Sequence, residues 1–348
     1  MSEDGFEQFR LTGYDEIFVP FQLTSLLSLD DAGMAFIEDS RETIKSIIKG
    51  EDSRYLVVAG PCSIHDPAAG YDYALRLKRL SEQMNDRMFF VMRTYFEKPR
   101  TVQGWKGLVN DPLMDCSFRI DLGLKMARKF LLRLAELRLA AGTEALDSMT
   151  IMYYEDLISW NCIGARTSES QVHRNLASML KTAVGFKNPS SGDLEVAVHS
   201  IHAASEPAGF LCMGADGRIR AVKTAGNPLC HLILRGTAQC SNYDEASVCK
   251  AVKLAAEQGF NPSLLIDCSH GNSAKDPSRQ EEVLDDVLRQ IRGGQSAIKG
   301  FMLESFLEGG AQSPGKNMRY GVSVTDPCLG WDDTERLLEK AYKALGDG

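Results

Sequence analysis

The chain has 348 residues, 44% hydrophobic and 25% charged, the make-up of a globular protein with room for one large α/β domain or two smaller ones. Its net charge of −8 argues against nucleic acid or an anionic membrane as the main partner, and no apolar run reaches the ~18 residues that span a bilayer. The acidic start, Met1 to Glu7, lacks the basic-then-apolar order of a secretory signal, and nine cysteines without a Cys-x-x-Cys pair fit reduced thiols in a cytoplasmic protein.

Residues 1–37 hold several turn formers and no sustained period, so they read as an extension lying on the body or on a neighbouring subunit. A short helix is expected over 39–50, with Ile44, Ile47 and Ile48 on one side and Gly50 as its stop. Residues 1–50 thus form an extension and helix, and 51–348 the main body. A rhythm begins at Arg54. Residues 55–60 form a buried strand and 68–83 a helix with Tyr73, Leu77 and Leu80 on one face. Residues 88–94 form the second strand, whose apolar run empties into Arg93, Lys98 and Arg100, with Pro99 holding Lys98 extended. A long loop leads to a helix near 119–138, where Leu124, Ala127, Leu131 and Leu134 repeat at helical spacing. The third strand is expected near 139–146, a helix over 152–160, the fourth strand around 162–166, a helix over 168–180 and the fifth strand at 183–187. Leu194, Ala197, Val198 and Ile201 mark the next helix. Residues 208–228 interrupt the rhythm with a hairpin signal around Gly214 and Asp216-Gly217. The sixth strand, 232–235, restores it. A helix over 243–257, a strand at 264–267, a helix from Asp276-Pro277 to Gly293 and a strand at 297–303 follow. Asp332 and Glu335 make a capping-box-like start to a last helix with Leu338, Ala341 and Leu345 inward. Cys116, Cys162, Cys230, Cys249 and Cys268 sit among apolar neighbours and read as small core residues.

Strands that strictly alternate with helices pair in parallel through right-handed crossovers. Eight of them close a (β/α)8 TIM barrel, here with an N-terminal extension and a small inserted β-hairpin. An open doubly wound sheet is the alternative, but no Gly-rich dinucleotide fingerprint follows the first strand.

In such a barrel the carboxyl ends of all strands face one mouth, where catalytic groups collect. Just past the strands stand Cys62, Arg93 with Lys98, Glu144, Arg166, Lys187, Arg235, His270, and Glu304 with Asp326 further on. Two sub-sites separate by chemistry. Arg93, Lys98, Arg166, Lys187 and Arg235 suit a small molecule carrying both phosphate and carboxylate. Cys62, His270, Glu304 and Asp326 offer sulfur, imidazole and carboxylates, a set that fits one divalent ion such as manganese, iron, cobalt or zinc better than magnesium.

Several long stretches now carry a specific resemblance. Gly60-Pro-Cys-Ser-Ile-His-Asp-Pro67, Met92-Arg-Thr-Tyr-Phe-Glu-Lys-Pro-Arg-Thr101 and Gly104-Trp-Lys-Gly-Leu-Val-Asn-Asp-Pro112 resemble type I 3-deoxy-D-arabino-heptulosonate 7-phosphate (DAHP) synthase. So do Gly164-Ala-Arg-Thr-Ser-Glu-Ser-Gln171, Gly185-Phe-Lys-Asn188, Ile266-Asp-Cys-Ser-His-Gly-Asn272 and Ser323-Val-Thr-Asp326. The resemblance implies condensation of phosphoenolpyruvate with D-erythrose 4-phosphate and release of phosphate, the first step of aromatic biosynthesis by the shikimate pathway. It implies that Arg93, Lys98, Glu144, Arg166, Lys187 and Arg235 hold phosphoenolpyruvate, that Arg100 and Thr101 meet the phosphate of the aldose, and that Cys62, His270, Glu304 and Asp326 hold the metal. Lys98, with Cys62 and His270, is then expected to carry catalysis, Lys98 giving a proton to the new alkoxide. His65 reads as a loop-shaping residue rather than a ligand.

The match is weaker around the aromatic amino-acid effector pocket of the family. Pro189-Ser-Ser-Gly192 replaces a common Gly-Thr-Asp-Gly, and the hairpin Phe210 to Arg220 together with Ser148, Met152 and Lys181 departs from the phenylalanine-inhibited pattern. Altered or weak feedback is therefore expected. The extension and hairpin suggest subunit contacts in a homodimer or homotetramer. Two rivals remain. The related synthase that uses a pentose phosphate carries a different loop at Lys98-Pro-Arg-Thr101, and a catalytically idle barrel would lack a ligand or Lys98.

Overall fold

The computed structural model describes residues 10–100, 104–260 and 262–346. Strands β1 (Tyr55–Gly60), β2 (Met88–Arg93), β3 (Ala140–Glu144), β4 (Trp160–Ile163), β5 (Ala183–Lys187), β8 (Cys230–Leu234), β9 (Leu264–Asp267) and β10 (Ile298–Glu304) close a barrel. Every barrel pair is parallel. Helices α3 (Pro67–Gln83), α4 (Ile120–Glu136), α5 (Gln171–Met179), α6 (Leu194–Ser205), α7 (Glu245–Glu257), α8 (Gln280–Arg292) and α9 (Trp331–Ala344) surround it. The expected (β/α)8 barrel is the observed fold, and the hairpin between α6 and β8 is β6 (Ala208–Met213) paired antiparallel with β7 (Ile219–Thr224).

Residues along each strand alternate between two packed layers, as the two-residue strand period requires. Val57, Ala59, Phe90, Val184 and Ile266 pack with Tyr73, Leu77 and Leu124 of the surrounding helices. Leu56, Val58, Val91, Ala140, Trp160, Cys162, Ala183, Ile233, Leu265 and Met302 form a separate inner core. The register aligns this second set round the ring, for example Val91 with Ala140, Trp160 with Ala183 and Ile233 with Leu265. Near its floor Trp160 Nε1 donates to His231 Nε2 at 3.2 Å, and His231 Nδ1 lies 3.0 Å from the Leu229 carbonyl. Burial holds that imidazole down at about 4, so it is neutral near pH 7.

The N-terminal part corrects the sequence reading. Helix α1 (Pro20–Leu26) lies in the stretch read as an extension with no sustained period, and α2 runs from Asp31 to Lys49 rather than from residue 39. Asp30 caps α2 by accepting from Gly33 N at 2.7 Å. Its buried face begins with Gly33, Ile37 and Ser40, so Ile37 is the one large apolar residue that marks the stripe before Ile44. Ile44, Ile47 and Ile48 belong to the inner core, so α2 packs beneath the barrel floor, where the Ser263 hydroxyl donates to the Ile48 carbonyl at 2.6 Å.

Three other expectations fail locally. The stretch expected as a helix over 152–160 consists of two short 3-10 turns, Thr150–Tyr153 and Glu155–Leu157, before β4. Adjacent tyrosines there are tied to different places: Tyr153 OH donates to the Phe18 carbonyl at 2.9 Å and Tyr154 OH to Glu97 at 3.3 Å. Helix α9 starts from Gly330 with no side-chain cap, so Asp332 lies in its first turn instead of closing a capping box. All nine cysteines are free, and Cys162, Cys230 and Cys268 are buried as expected; Cys116 and Cys249 are exposed, being carried on a loop and on the outer face of α7.

Candidate active site

Following the inner phase of each strand one step beyond the apolar core gives Gly60, Arg93, Glu144, Gly164, Lys187, Arg235, Asp267 and Glu304. The polar site is therefore the top layer of the barrel interior, built by the same alternation that builds the core. Glycine is needed here for space: a Cβ on Gly164 would lie 2.1 Å from Glu144 Oε1.

A cavity of about 270 Å³ opens at this end, lined by Lys98, Arg100, Glu144, Arg166, Lys187, Arg235, His270 and Asp326. Arg93, Cys62 and Glu304 are buried behind it. Arg93 Nη2 donates to Glu304 Oε1 at 2.8 Å, while Arg93 Nε and Nη1 and Glu144 Oε1 have no hydrogen-bond partner among the described residues. A buried guanidinium with two idle donors is costly unless an anion completes it. Burial alone would lower the Arg93 pKa, but Tyr95, Glu304 and Asp267 outweigh it and hold the group charged. Lys187 Nζ donates to Asp267 Oδ2 at 2.8 Å, and Arg235 Nη1 to the Gly236 carbonyl at 3.1 Å. Thr101, expected to meet the aldose phosphate, lies outside the described residues.

Three of the four proposed ligands, Cys62, Glu304 and Asp326, cluster around one point. One ligand atom each from Cys62, Glu304 and Asp326 lies within 4.8 Å of the others, and His270 Nε2 is 3.5 Å from Glu304 Oε1. His270 thus stands beside the triad rather than inside its tight cluster. Burial depresses the His270 pKa against the pull of Asp267 and Glu304, which leaves the imidazole neutral and suited to ligation. Burial would raise Glu304, yet His270, Arg93 and Lys98 bring it below the usual carboxylate range. Asp326 is likewise held down, against its burial, by the Lys275 ammonium 3.0 Å from Oδ1 and by Lys98. Burial and the Glu304 carboxylate push the Cys62 thiol up, with Lys98 opposing them. A thiol, an imidazole and two carboxylates fit a borderline divalent cation.

Lys98 joins the two halves. Its Nζ is 3.3 Å from Cys62 Sγ and 3.1 Å from the Cys62 carbonyl. Burial would lower its pKa, but Cys62, Glu304 and Glu144 together hold it above the ordinary lysine value. His65 is buried edge-on against Phe306 and stands outside the donor triad.

Sequence reasoning missed Asp267, Glu97, Tyr95 and Lys275. Asp267 bonds both Lys187 and His270, and the signal was available: it lies two residues beyond Leu265 on the inner phase. Lys275 lines the cavity and pairs with Asp326. Tyr95 lies beneath the Arg93 guanidinium, 4.2 Å from ring centroid to Cζ. Glu97 is buried under the Lys98 loop and accepts from the Thr150 hydroxyl at 2.6 Å. A larger cavity of about 640 Å³ lies away from the barrel mouth, between α2 and the 3-10 turns. Its two arginines are already engaged, Arg128 by Asp156 and the Leu27 and Tyr153 carbonyls and Arg41 by Glu155, Glu38 and the Ile158 carbonyl.

The family model described as the DAHP synthetase I family matches residues 34–339. The Tyr-sensitive phospho-2-dehydro-3-deoxyheptonate aldolase of Escherichia coli (strain K12) is 46% identical over 348 residues, covering 99% of this chain and 98% of the relative. The Trp-sensitive aldolase of Escherichia coli O157:H7 is 45% identical over 341 residues, covering 97% of this chain and 98% of the relative. Among solved structures, phospho-2-dehydro-3-deoxyheptonate aldolase from Francisella tularensis SCHU S4 superposes with a TM-score of 0.94 at 41% identity, covering 97% of this chain and 98% of that one.

Proposed function

The chain belongs to the DAHP synthetase I family, and on that premise we infer that its barrel mouth condenses phosphoenolpyruvate with D-erythrose 4-phosphate and water to give DAHP and phosphate, opening aromatic biosynthesis. The observation that carries this is the buried Arg93, with two unpartnered donors, at a mouth that gathers Lys98, Lys187 and Arg235 beside the Cys62, Glu304 and Asp326 donors.

Arg93, Lys98, Glu144, Arg166, Lys187 and Arg235 are assigned to phosphoenolpyruvate, the cations among them to its carboxylate and phosphate. Arg100 and Thr101 are assigned to the phosphate of the tetrose. Cys62, His270, Glu304 and Asp326 would hold one divalent ion, manganese, iron, cobalt or zinc, which supplies Lewis-acid stabilisation of the aldehyde oxygen when bound. The enol carbon attacks the aldehyde carbon and a carbon–carbon bond forms. The Lys98 ammonium, held charged and on the border of both sub-sites, gives its proton to the new alkoxide. Water adds at the carbon left electron-deficient, one of its protons restoring the Lys98 ammonium; the bond from that carbon to the bridging phosphate oxygen then breaks as the ketone forms, and phosphate leaves with the other proton. Arg93 and Lys187 stay fixed throughout by Glu304 and Asp267, so the charges that meet the anions need no reorganisation.

A homodimer or homotetramer assembled through the extension and the hairpin is supported by exposed apolar side chains there, Phe21 at 63%, Leu26 at 72% and Leu211 at 74%. Cytoplasmic residence is supported by nine free cysteines. No described helix is long and apolar enough to cross a membrane.

The test is phosphate release from phosphoenolpyruvate, with and without erythrose 4-phosphate and with and without chelator. Release that needs the tetrose and stops with chelator is expected. No tetrose-dependent release in metal-supplemented protein overturns the assignment.

A further inference from the structure

We propose that Asp267 is a positioning residue shared by both halves of the site, fixing the His270 tautomer for metal ligation and the Lys187 ammonium for the anionic substrate. The inference rests on the assignment of these sub-sites made above.

Asp267 ends β9 on the inner phase of the barrel and is fully buried. Both carboxylate oxygens are engaged. Oδ2 lies 2.8 Å from Lys187 Nζ and 2.9 Å from His270 Nδ1. Oδ1 accepts from the Ser269 amide at 3.0 Å and from the Ser269 hydroxyl at 2.5 Å. That hydroxyl, having given its proton to Asp267, offers a lone pair 2.8 Å from the same His270 Nδ1. Nδ1 therefore faces two acceptors and no donor, which places the imidazole proton on it. Nε2 is left with its lone pair, 3.5 Å from Glu304 Oε1 and beside the other ligand atoms. A carboxylate behind a ligating imidazole orients the ring and raises its basicity. The backbone takes part as well: His270 has φ +56, a left-handed conformation uncommon outside glycine that histidine enters more readily than most residues, and its carbonyl accepts from Lys275 N at 2.7 Å. The local chain is thus bent to bring the ring back over the residue three positions before it.

Asparagine would keep the size of Asp267 and lose this logic. Its amide can donate to Nδ1, which moves the imidazole proton to Nε2 and blocks ligation; it also removes the negative charge facing Lys187.

The experiment follows cobalt(II) binding to metal-stripped wild-type and Asp267→Asn protein through the visible cobalt bands, and phosphoenolpyruvate binding to the metal-free proteins by calorimetry. Cobalt affinity is expected to fall about 10–100-fold in the variant, and phosphoenolpyruvate affinity to fall by a smaller factor. Cobalt affinity within twofold of wild type overturns the metal half. Unchanged phosphoenolpyruvate affinity overturns the Lys187 half. Heteronuclear NMR of the imidazole nitrogens in metal-free wild type, assigned with His270→Gln, needs no Asp267 variant to fold: a proton on Nδ1 is expected, and a proton on Nε2 sinks the proposal. None of these readouts requires turnover, so they stand apart from an assay in which wild type makes no DAHP.

Discussion

The Lys98 ammonium and the Cys62 sulfur are 3.3 Å apart at the floor of the mouth. This contact joins the group that would deliver a proton to a member of the ligand set, and the lysine raised by Cys62, Glu304 and Glu144 is charged across the whole neutral range. Replacing it with the uncharged Lys98→Met should lower kcat about 10²–10⁴-fold, the usual worth of a general acid. Bound metal per chain, measured by elemental analysis, should stay near the wild-type value.

Metal uptake should release protons. The Cys62 thiol is pushed up by burial and Glu304, so it is protonated at neutral pH and must lose that proton to ligate. Apparent metal affinity should therefore rise with pH, by about tenfold per unit while one proton is displaced. Titration in weakly buffered solution with a pH indicator reads the released proton directly. Cys62→Ala should abolish that release along with tight binding.

Glu97 makes stability depend on pH in the opposite sense to an ordinary salt-bridged acid. Burial, aided by Asp147 and opposed by the Thr150 and Tyr154 hydrogen bonds, lifts its carboxyl from 4.5 to about 7. The folded chain then binds this proton more tightly than the unfolded chain. Below pH 4.5 both are protonated and the group contributes nothing; stability falls as pH rises from 4.5 through 7. The full penalty, about 3 kcal/mol, is present above that range. Glu97→Gln mimics the protonated acid, so its advantage over wild type in urea unfolding should be absent at pH 4 and reach about 3 kcal/mol near pH 8.

A methyl at residue 164 would collide with Glu144, since the added Cβ comes within 2.1 Å of Oε1. The obstacle is the end of a side chain, which can swing away, so the barrel should still fold. Gly164→Ala should then raise KM for phosphoenolpyruvate or lower kcat by about 10–100-fold through displaced groups, with the melting temperature little changed. Steady-state kinetics beside a thermal melt separates the two effects.

Feedback should be weak. The cavity of about 410 Å³ between the hairpin and the Thr150–Tyr153 turn is lined by Met152, Met179, Cys212 and Met213, and the Arg220 guanidinium beside it is engaged bidentately by Asp216. Methionine side chains repack around many shapes, so this wall sets no sharp preference among aromatic rings, and the Asp216-bound Arg220 is already engaged rather than idle for an amino-acid carboxylate. Titrating phenylalanine, tyrosine and tryptophan against initial rate should give no sharp inhibition at micromolar concentration; such inhibition by any one of them refutes the expectation.

Much of this site was legible because one rule, alternation along a strand, governs both core and chemistry. Arg93, Glu144, Lys187 and Glu304 could be found by walking two residues past Val91, Gly142, Gly185 and Met302. Asp267 follows from the same walk, yet a carboxylate behind a histidine is not conspicuous until Lys187 from another strand is seen against it. Glu97 was harder still, because its partners Thr150 and Tyr154 lie on a segment whose pattern imitates a helix. Helix α2 was half-legible: its capping aspartate and small buried residues carry the information that large apolar residues usually carry. The distance between His270 and the tight ligand cluster depends on side-chain placement, which no spacing in the sequence encodes.

Helix α2 beneath the strands has a kinetic corollary. With Ile44, Ile47 and Ile48 packed into the far end, the described residues leave the mouth as the way in, and two reactants, a sugar acid, inorganic phosphate and any bound ion would share it. Whatever arrives last stands nearest the exit and screens what arrived before it. Departure is queued by geometry, so a saturating ligand at the rim should slow escape of a cation held among Cys62, Glu304 and Asp326 without touching any of its bonds.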